Sequence, residues 1–340
     1  GTKTTTPASA PDDVKVGLLT PLRQPGGKEM KQALNYYADQ SDDINYEVIT
    51  KDTKFSVKVA KQATRQLLNS EDVDVLAGGY LPNTSMAIQE MVAGEGPLFL
   101  NIAITSNLPA KRVAQDHENY KYWFGGGLTS AAQSRDYVGF FDNVVSQDTD
   151  IESFGMLLEK VGTIPQLGET IKNHLTQAGY THEKSVQYPR DTNDLRPSLS
   201  TLEDAGVDAV LPLATVTAPL MYKQWHQTKK DFALVAGTSQ VAQDSWPKVA
   251  GSEVAQYSTM STPVVRAPIT DRTIDWWDGW VEAHGEDPII QSGRSWAMMD
   301  SYEDALRNVG SKSAYDELVG HMEDTRVKSV IGHVDYQGQD

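Results

Sequence analysis

Side chains able to move protons, bind metals or attack bonds are plentiful in this chain but poorly arranged for catalysis. Seven histidines, His117, His174, His182, His226, His284, His321 and His333, are scattered along 340 residues. None forms an H-E-x-x-H pattern or a pair four apart, the spacing that puts two ligands on one helical face. There is no cysteine. Disulfides, thiolate nucleophiles and zinc-thiolate sites are therefore excluded, and neither metal nor cofactor is expected. The phosphate-cradling patterns G-x-x-x-x-G-K-[ST] and G-x-G-x-x-G do not occur. Gly125-Gly126-Gly127 has the wrong spacing and reads as a flexible crossing point. Gly237-Thr238-Ser239-Gln240-Val241 lacks the second glycine of a nucleophile elbow. Carboxylates are abundant, so an acid–base pair formed only in the fold stays open.

Binding chemistry is better served. Gly78-Gly79-Tyr80-Leu81-Pro82-Asn83-Thr84-Ser85 follows an apolar run and opens a helical pattern, with Asn83 or Thr84 as a plausible N-cap. Free backbone N–H groups and hydroxyls at such a turn suit a carboxylate or another anion. An ordinary capped turn fits the same residues. A second apolar run ends in Asn101-Ile102-Ala103-Ile104-Thr105-Ser106-Asn107, so polar groups again sit just past a strand. Trp276, Trp277 and Trp280 share a helical face and read as core, with an aromatic ligand wall as the other reading.

These segments need elements to hold them. Val14–Thr20, Tyr46–Thr50, Val73–Ala77 and Pro97–Asn101 read as strands. Helical patterns over Glu29–Gln40, Val57–Asn69 and Thr84–Ala93 alternate with them. The second half repeats the order. Strands are expected at Ser153–Leu158, Ser185–Tyr188, Asp208–Leu213 and Phe232–Ala236, and helices at Gln166–Ala178, Leu195–Ala205 and Ala218–Gln227. Repeated βα units imply parallel sheets with helices on both faces, here two doubly wound α/β units in series. The tail predicts helices at Arg272–Ala283, Ser295–Asn308 and Ser313–Val319, then a strand near Val327–Val334. Open parallel sheets bind ligands at the carboxyl ends of their strands, where both polar segments fall.

Composition narrows the partners. A net charge of −16 argues against a nucleic-acid role, which needs a basic surface. No apolar run approaches the roughly 18 to 20 residues of a membrane span; Pro97–Leu100 is a short one that Asn101 breaks. Gly1–Pro11 is rich in Thr, Ser, Ala and Pro and reads as a disordered linker. It suits a tether to a membrane surface, such as a lipid anchor upstream, and a terminus without a role fits equally well.

From Tyr46 to Leu108 the chain resembles the branched-chain amino acid (Leu/Ile/Val) binding proteins of ABC importers. Lys51-Asp52-Thr53 follows a strand and leads to an Ala-containing helix with Leu67-Leu68. Val73-Asp74-Val75-Leu76-Ala77-Gly78, the polar turn, Ala87 and Gly96-Pro97-Leu98-Phe99 come next in order. Asp194-Leu195-Arg196 and Ala205-Gly206-Val207-Asp208-Ala209-Val210 continue the likeness through the second half. The resemblance implies a type I periplasmic-binding fold: two lobes joined by a three-crossing hinge, closing on a ligand by population shift. It puts lobe one at 12–124 plus 258–325 and lobe two at 125–257 plus 326–340, with 1–11 as linker. It implies an extracytoplasmic receptor, periplasmic or extracellular, that captures an amino acid or related carboxylate or amide and delivers it to a membrane permease. A ligand sensor of the same fold is the alternative, and an α/β enzyme a more distant one.

The family's ligand contacts map onto this sequence position by position. The Ser hydroxyl that holds the ligand carboxylate falls at Pro82 or Asn83, beside Tyr80. The family's Ala-Ala-Thr loop falls at Ala103-Ile104-Thr105, which keeps the threonine. The lobe-two aromatic falls near Leu167, and the acidic partner of the ligand ammonium near Ser239; both are departures. Trp296 lies where the family often has an aromatic. A buried ammonium without a carboxylate partner costs several kcal/mol. A site of Asn83, Thr105, Thr215, Thr217 and Ser239 therefore suits a neutral or anionic polar ligand.

Overall fold

A computed structural model describes residues 9–104, 106–127, 130–161, 164–215, 217–237, 241, 245–260 and 262–336. The chain divides into two compact units, one of residues 1–129 plus 263–340 and one of residues 130–262. Most of the expected linker, residues 1–8, lies outside the described residues.

The first unit opens with strand β1 (Asp13–Thr20), helix α1 (Pro25–Gln40), β2 (Asn45–Asp52), α2 (Val57–Asn69), β3 (Val75–Gly78), α3 (Pro82–Val92) and β4 (Phe99–Asn101). Helices α4 (Leu108–Gln115) and α5 (His117–Tyr120) then lead to β5 (Trp123–Gly125). All five strands pair in parallel in the order β2-β1-β3-β4-β5. The apolar runs form these strands because both faces of the sheet are covered: Val14, Val16, Leu18, Leu19, Val75, Leu76, Phe99 and Leu100 are fully buried. Helix α2 starts where the spacing predicts, with the Ser56 side chain accepting from the Val59 amide.

The second unit contains α6 (Ser130–Phe140), a π-helical turn over Phe141–Val145, α7 (Ser146–Asp148), β6 (Ser153–Glu159) and α8 (Ile164–Gln177). It continues with β7 (Thr181–Tyr188), α9 (Arg196–Asp204), β8 (Ala209–Leu213), α10 (Ala218–Thr228), β9 (Ala233–Leu234), α11 (Trp246–Ala250) and α12 (Ser252–Ala255). Its parallel sheet has the order β7-β6-β8-β9, the same pattern as the first four strands of unit one. Strand β6 serves both faces. Phe154, Met156 and Leu158 join the α6 and α8 side with Ile171 and Leu175, while Leu157 packs with Leu199, Leu202 and Met221 of α9 and α10.

The chain then completes unit one with α13 (Thr273–His284), α14 (Ile290–Val309), α15 (Tyr315–Asp324) and the antiparallel pair β10 (Val327–Ser329) and β11 (Gly332–Val334). The tail expected as one strand is thus a hairpin. The division also puts residues 326–340 with the first unit, not with lobe two as the resemblance implied. The reason is local: the Ser329 hydroxyl donates to Asp300 of α14 at 2.6 Å, and the Thr270 hydroxyl donates to the Ser329 carbonyl at 2.8 Å. Trp276, Trp277 and Trp280 are buried as the core reading expects.

The glycine run also differs from its reading as a flexible crossing. A Cβ at Gly126 would lie 2.3 Å from the Met298 sulfur, and one at Gly127 only 1.5 Å from the Ile104 carbonyl oxygen. Glycine stands there because the backbone is closely packed.

Candidate functional site

In a sheet of order 2-1-3-4, the connections leaving strands 1 and 3 turn to opposite faces and open a crevice outside their carboxyl ends. Helix packing in unit one agrees, since α1 packs on α14 while α2 packs on α3. Its switch point lies between β1 and β3. In unit two, α8 packs with α6 and α9 with α10, so the switch point lies between β6 and β8.

At the first switch point the β3 turn is made by Gly78 and Gly79, both at positive φ. A Cβ on Gly78 would fall 2.2 Å from the Leu19 carbonyl oxygen, so the turn crosses close over β1. Tyr80 then packs edge-on against Phe55 with ring centroids 5.8 Å apart, and burial raises its phenol pKa. Helix α3 begins at Pro82, with Leu81 in the N-cap position. The expected Asn83 or Thr84 cap is therefore corrected: proline needs no N–H partner in the first turn and starts the helix earlier. Asn83 is exposed, its Oδ1 accepts from the Thr84 amide at 2.9 Å, and the Thr84 hydroxyl donates to the Leu81 carbonyl.

Asn101, at the end of β4, is fully buried and structural. Its Nδ2 donates to the Gly78 carbonyl at 3.0 Å, and its Oδ1 accepts from Trp123 Nε1 at 3.1 Å. Ala103 is half-buried and Ile104 buried in the following loop. Thr105 lies outside the described residues, as does Ser239. Trp296 is in the interior of unit one, its ring centroid 4.8 Å from Tyr37 and 5.4 Å from Tyr36. Leu167 packs half-buried beside the α8 side of the second core.

The second switch point is built around a residue that the sequence reading missed. Glu159 ends β6 with a fully buried side chain. Its Oε1 accepts the Thr215 hydroxyl at 2.8 Å, and its Oε2 accepts the Thr217 hydroxyl at 3.0 Å and the Thr215 amide. The Thr217 proton is thereby committed, so the Tyr188 hydroxyl, 2.7 Å away, donates to Thr217. Burial raises the Tyr188 phenol, which keeps it a neutral donor. Arg190, just past β7 and 54% exposed, brings Nε to 3.5 Å from Glu159 Oε1. Such a carboxylate is tolerable in the interior only because several donors replace its water. The structure thus brings Thr215 and Thr217 together at one strand end, through a glutamate 56 and 58 residues earlier. The legible signal was a carboxylate directly after an apolar strand run.

Two parallel α/β units, each with polar groups at its switch point, define the fold class of type I periplasmic-binding proteins. The chain belongs to the family described as "Periplasmic binding protein", whose model matches residues 13–340. It is accordingly an extracytoplasmic solute-binding protein and not an enzyme. It is similar to an ABC transporter substrate-binding protein from Sphaerobacter thermophilus, with TM-score 0.78 and 16% identity over 95% of this chain and 89% of that one. A solute-binding protein from Rhodopseudomonas palustris in complex with 3,4-dihydroxybenzoic acid matches with TM-score 0.73 and 18% identity, over 97% and 91%. A branched-chain amino acid transporter substrate-binding protein from Streptococcus pneumoniae, in complex with isoleucine, matches with TM-score 0.75 and 13% identity, over 96% and 92%. No curated protein sequence matches the chain. Among the described residues, no helix is long and apolar enough to cross a membrane, and no cluster of His, Asp or Glu could hold a metal ion.

Proposed function

We propose that this protein captures a small polar organic solute, an amino acid or a related carboxylate or amide, and delivers it to an ABC importer. The observation that carries the reading is the pair of matching switch points, β1/β3 and β6/β8, each ending in a turn with polar groups. Structural relatives in complex with an aromatic acid and with isoleucine support the ligand range. Tyr80, Pro82, Asn83, Ala103, Ile104 and Thr105 are proposed contacts from unit one, and Leu167, Thr215, Thr217 and Ser239 from unit two. Trp296, 8% exposed, is proposed as a further contact from unit one. The Thr- and Pro-rich leader supports a tether that keeps the receptor near its permease.

Thermal-shift screening against amino acids, aromatic acids, amides and polyols tests this. A ligand at about 100 times its Kd stabilises the folded state by about 2.7 kcal/mol. A clear rise in Tm with one chemical class is the expected result. A flat response to every class, together with no small molecule found by mass spectrometry on the purified protein, would sink the reading.

A further inference from the structure

The second switch point has a chemical polarity that the resemblance does not supply. Glu159 sits where a carboxylate could meet a ligand ammonium, but its oxygens are already occupied. Thr215 donates through both amide and hydroxyl, Thr217 through its hydroxyl, and Arg190 closes the remaining side. The side chain is fully buried. Buried and already accepting three hydrogen bonds, it offers no exposed oxygen to a cationic ligand group. Arg190 is in the opposite condition: half of its side chain is exposed, and its closest approach to Glu159 is through Nε at 3.5 Å. Among the described residues, its terminal guanidinium nitrogens donate to no protein acceptor.

From these contacts we infer that Arg190, held by Glu159, reads an anionic group of the ligand, a carboxylate, at the carboxyl edge of the second unit's sheet. The inference rests on the solute-capture reading and names its ligand class. Glu159 is the positioning residue. It faces the Nε edge of the planar guanidinium with its charge, and the terminal N–H groups form a fork, the geometry that matches a carboxylate bidentately. The exposed Thr215 stands beside it on the same glutamate. Whole-molecule electrostatics would not attract an acid here, because the chain carries a net charge of −16. A local cation with an unfilled fork supplies what the overall field does not.

The test uses matched probes on the intact protein. Calorimetry would compare 3,4-dihydroxybenzoate with 3,4-dihydroxybenzamide, and L-isoleucine with L-isoleucinamide, for the wild type, R190Q and R266Q. Arg266 is an exposed arginine paired with Asp278, so its removal changes net charge equally without touching this cluster. The expected result is that the wild type prefers the acids, and that R190Q weakens acid binding about 10- to 100-fold while R266Q does not. The amides should respond little to R190Q. Equal binding of acid and amide, or an unchanged acid affinity in R190Q, would overturn the inference. So would binding of polyols or amides with no acid bound, an outcome that leaves solute capture standing. If no class of solute binds at all, both readings fall together.

Discussion

Glu29 shows how a single buried carboxyl can tie stability to pH. It lies on α1, 8% exposed, and accepts the Ile289 amide at the start of α14. Burial pushes its pKa up from 4.5 to about 7, partly offset by hydrogen bonds from Ser292 and Ile289. A carboxyl whose folded value is raised binds its proton more tightly in the native state. Its stabilising contribution is full below the unfolded value and is lost as pH rises through about 7. Over that window the loss is on the order of 3 kcal/mol. Urea unfolding at several pH values should show wild-type stability falling relative to Glu29→Gln from pH ~4.5 to ~7. Parallel curves for the two proteins would show that the group titrates normally. Gly127 gives a second residue-scale expectation. Gly127→Ala puts a methyl group into the Ile104 carbonyl, and the backbone shift needed to relieve it should cost about 1–3 kcal/mol in urea unfolding. A cost near zero would mean that the loop moves freely.

Among the elements, α14 binds α1, α15 and the β10 hairpin together. Asp300 receives Arg272 bidentately at 3.0 and 3.1 Å, Ser329 at 2.6 Å and Tyr37 at 3.4 Å. One carboxylate thus joins α14 to the start of α13, the β10 hairpin and α1. Arg272 is 42% exposed, so the ion pair itself is partly screened. Asp300→Ala should still cost about 2 kcal/mol, because it strands the buried Ser329 hydroxyl, while Ser329→Ala should cost about 1. Equal losses in the two variants would mean that the arginine contact contributes nothing. The sequence could not announce this network, whose partners lie up to 263 residues apart. The alternating elements, by contrast, were readable wherever the apolar spacing was local. Val57–Asn69 agrees residue for residue, and most other boundaries shift by one to four residues. The largest shifts are in the tail, where the helix expected from Ser295 begins at Ile290 and the one expected to end at Val319 runs to Asp324. The same division applies to the site. The turns at Gly78–Asn83 and Ala103–Ile104 were found because they directly follow strands. Glu159, Tyr188 and Arg190 were missed because only sheet pairing brings three strand ends into one cluster.

At the scale of the molecule, the two units differ in how the chain reaches them. The first is discontinuous, closed by residues 263–340 returning after the second is complete. The second is one uninterrupted segment, 130–262, with its own apolar layers on both sheet faces. About 130 residues lie comfortably within the size range of independent domains. Its β6 supplies buried residues to both layers, so the sheet need not borrow a core from elsewhere. Expressed alone, residues 130–262 should therefore fold cooperatively, whereas residues 9–129 alone should not. The latter segment lacks α13, α14 and α15, and with them Trp276, Trp296, Met298, Tyr302 and Leu318 of its core. Far-UV circular dichroism through a thermal ramp would check both fragments. A sigmoidal transition from 130–262 and a shallow, featureless melt from 9–129 are expected. A cooperative melt from 9–129 would show that the returning helices decorate the first unit instead of completing it. Failure of 130–262 to fold would mean that its two apolar layers do not suffice without the flanking chain.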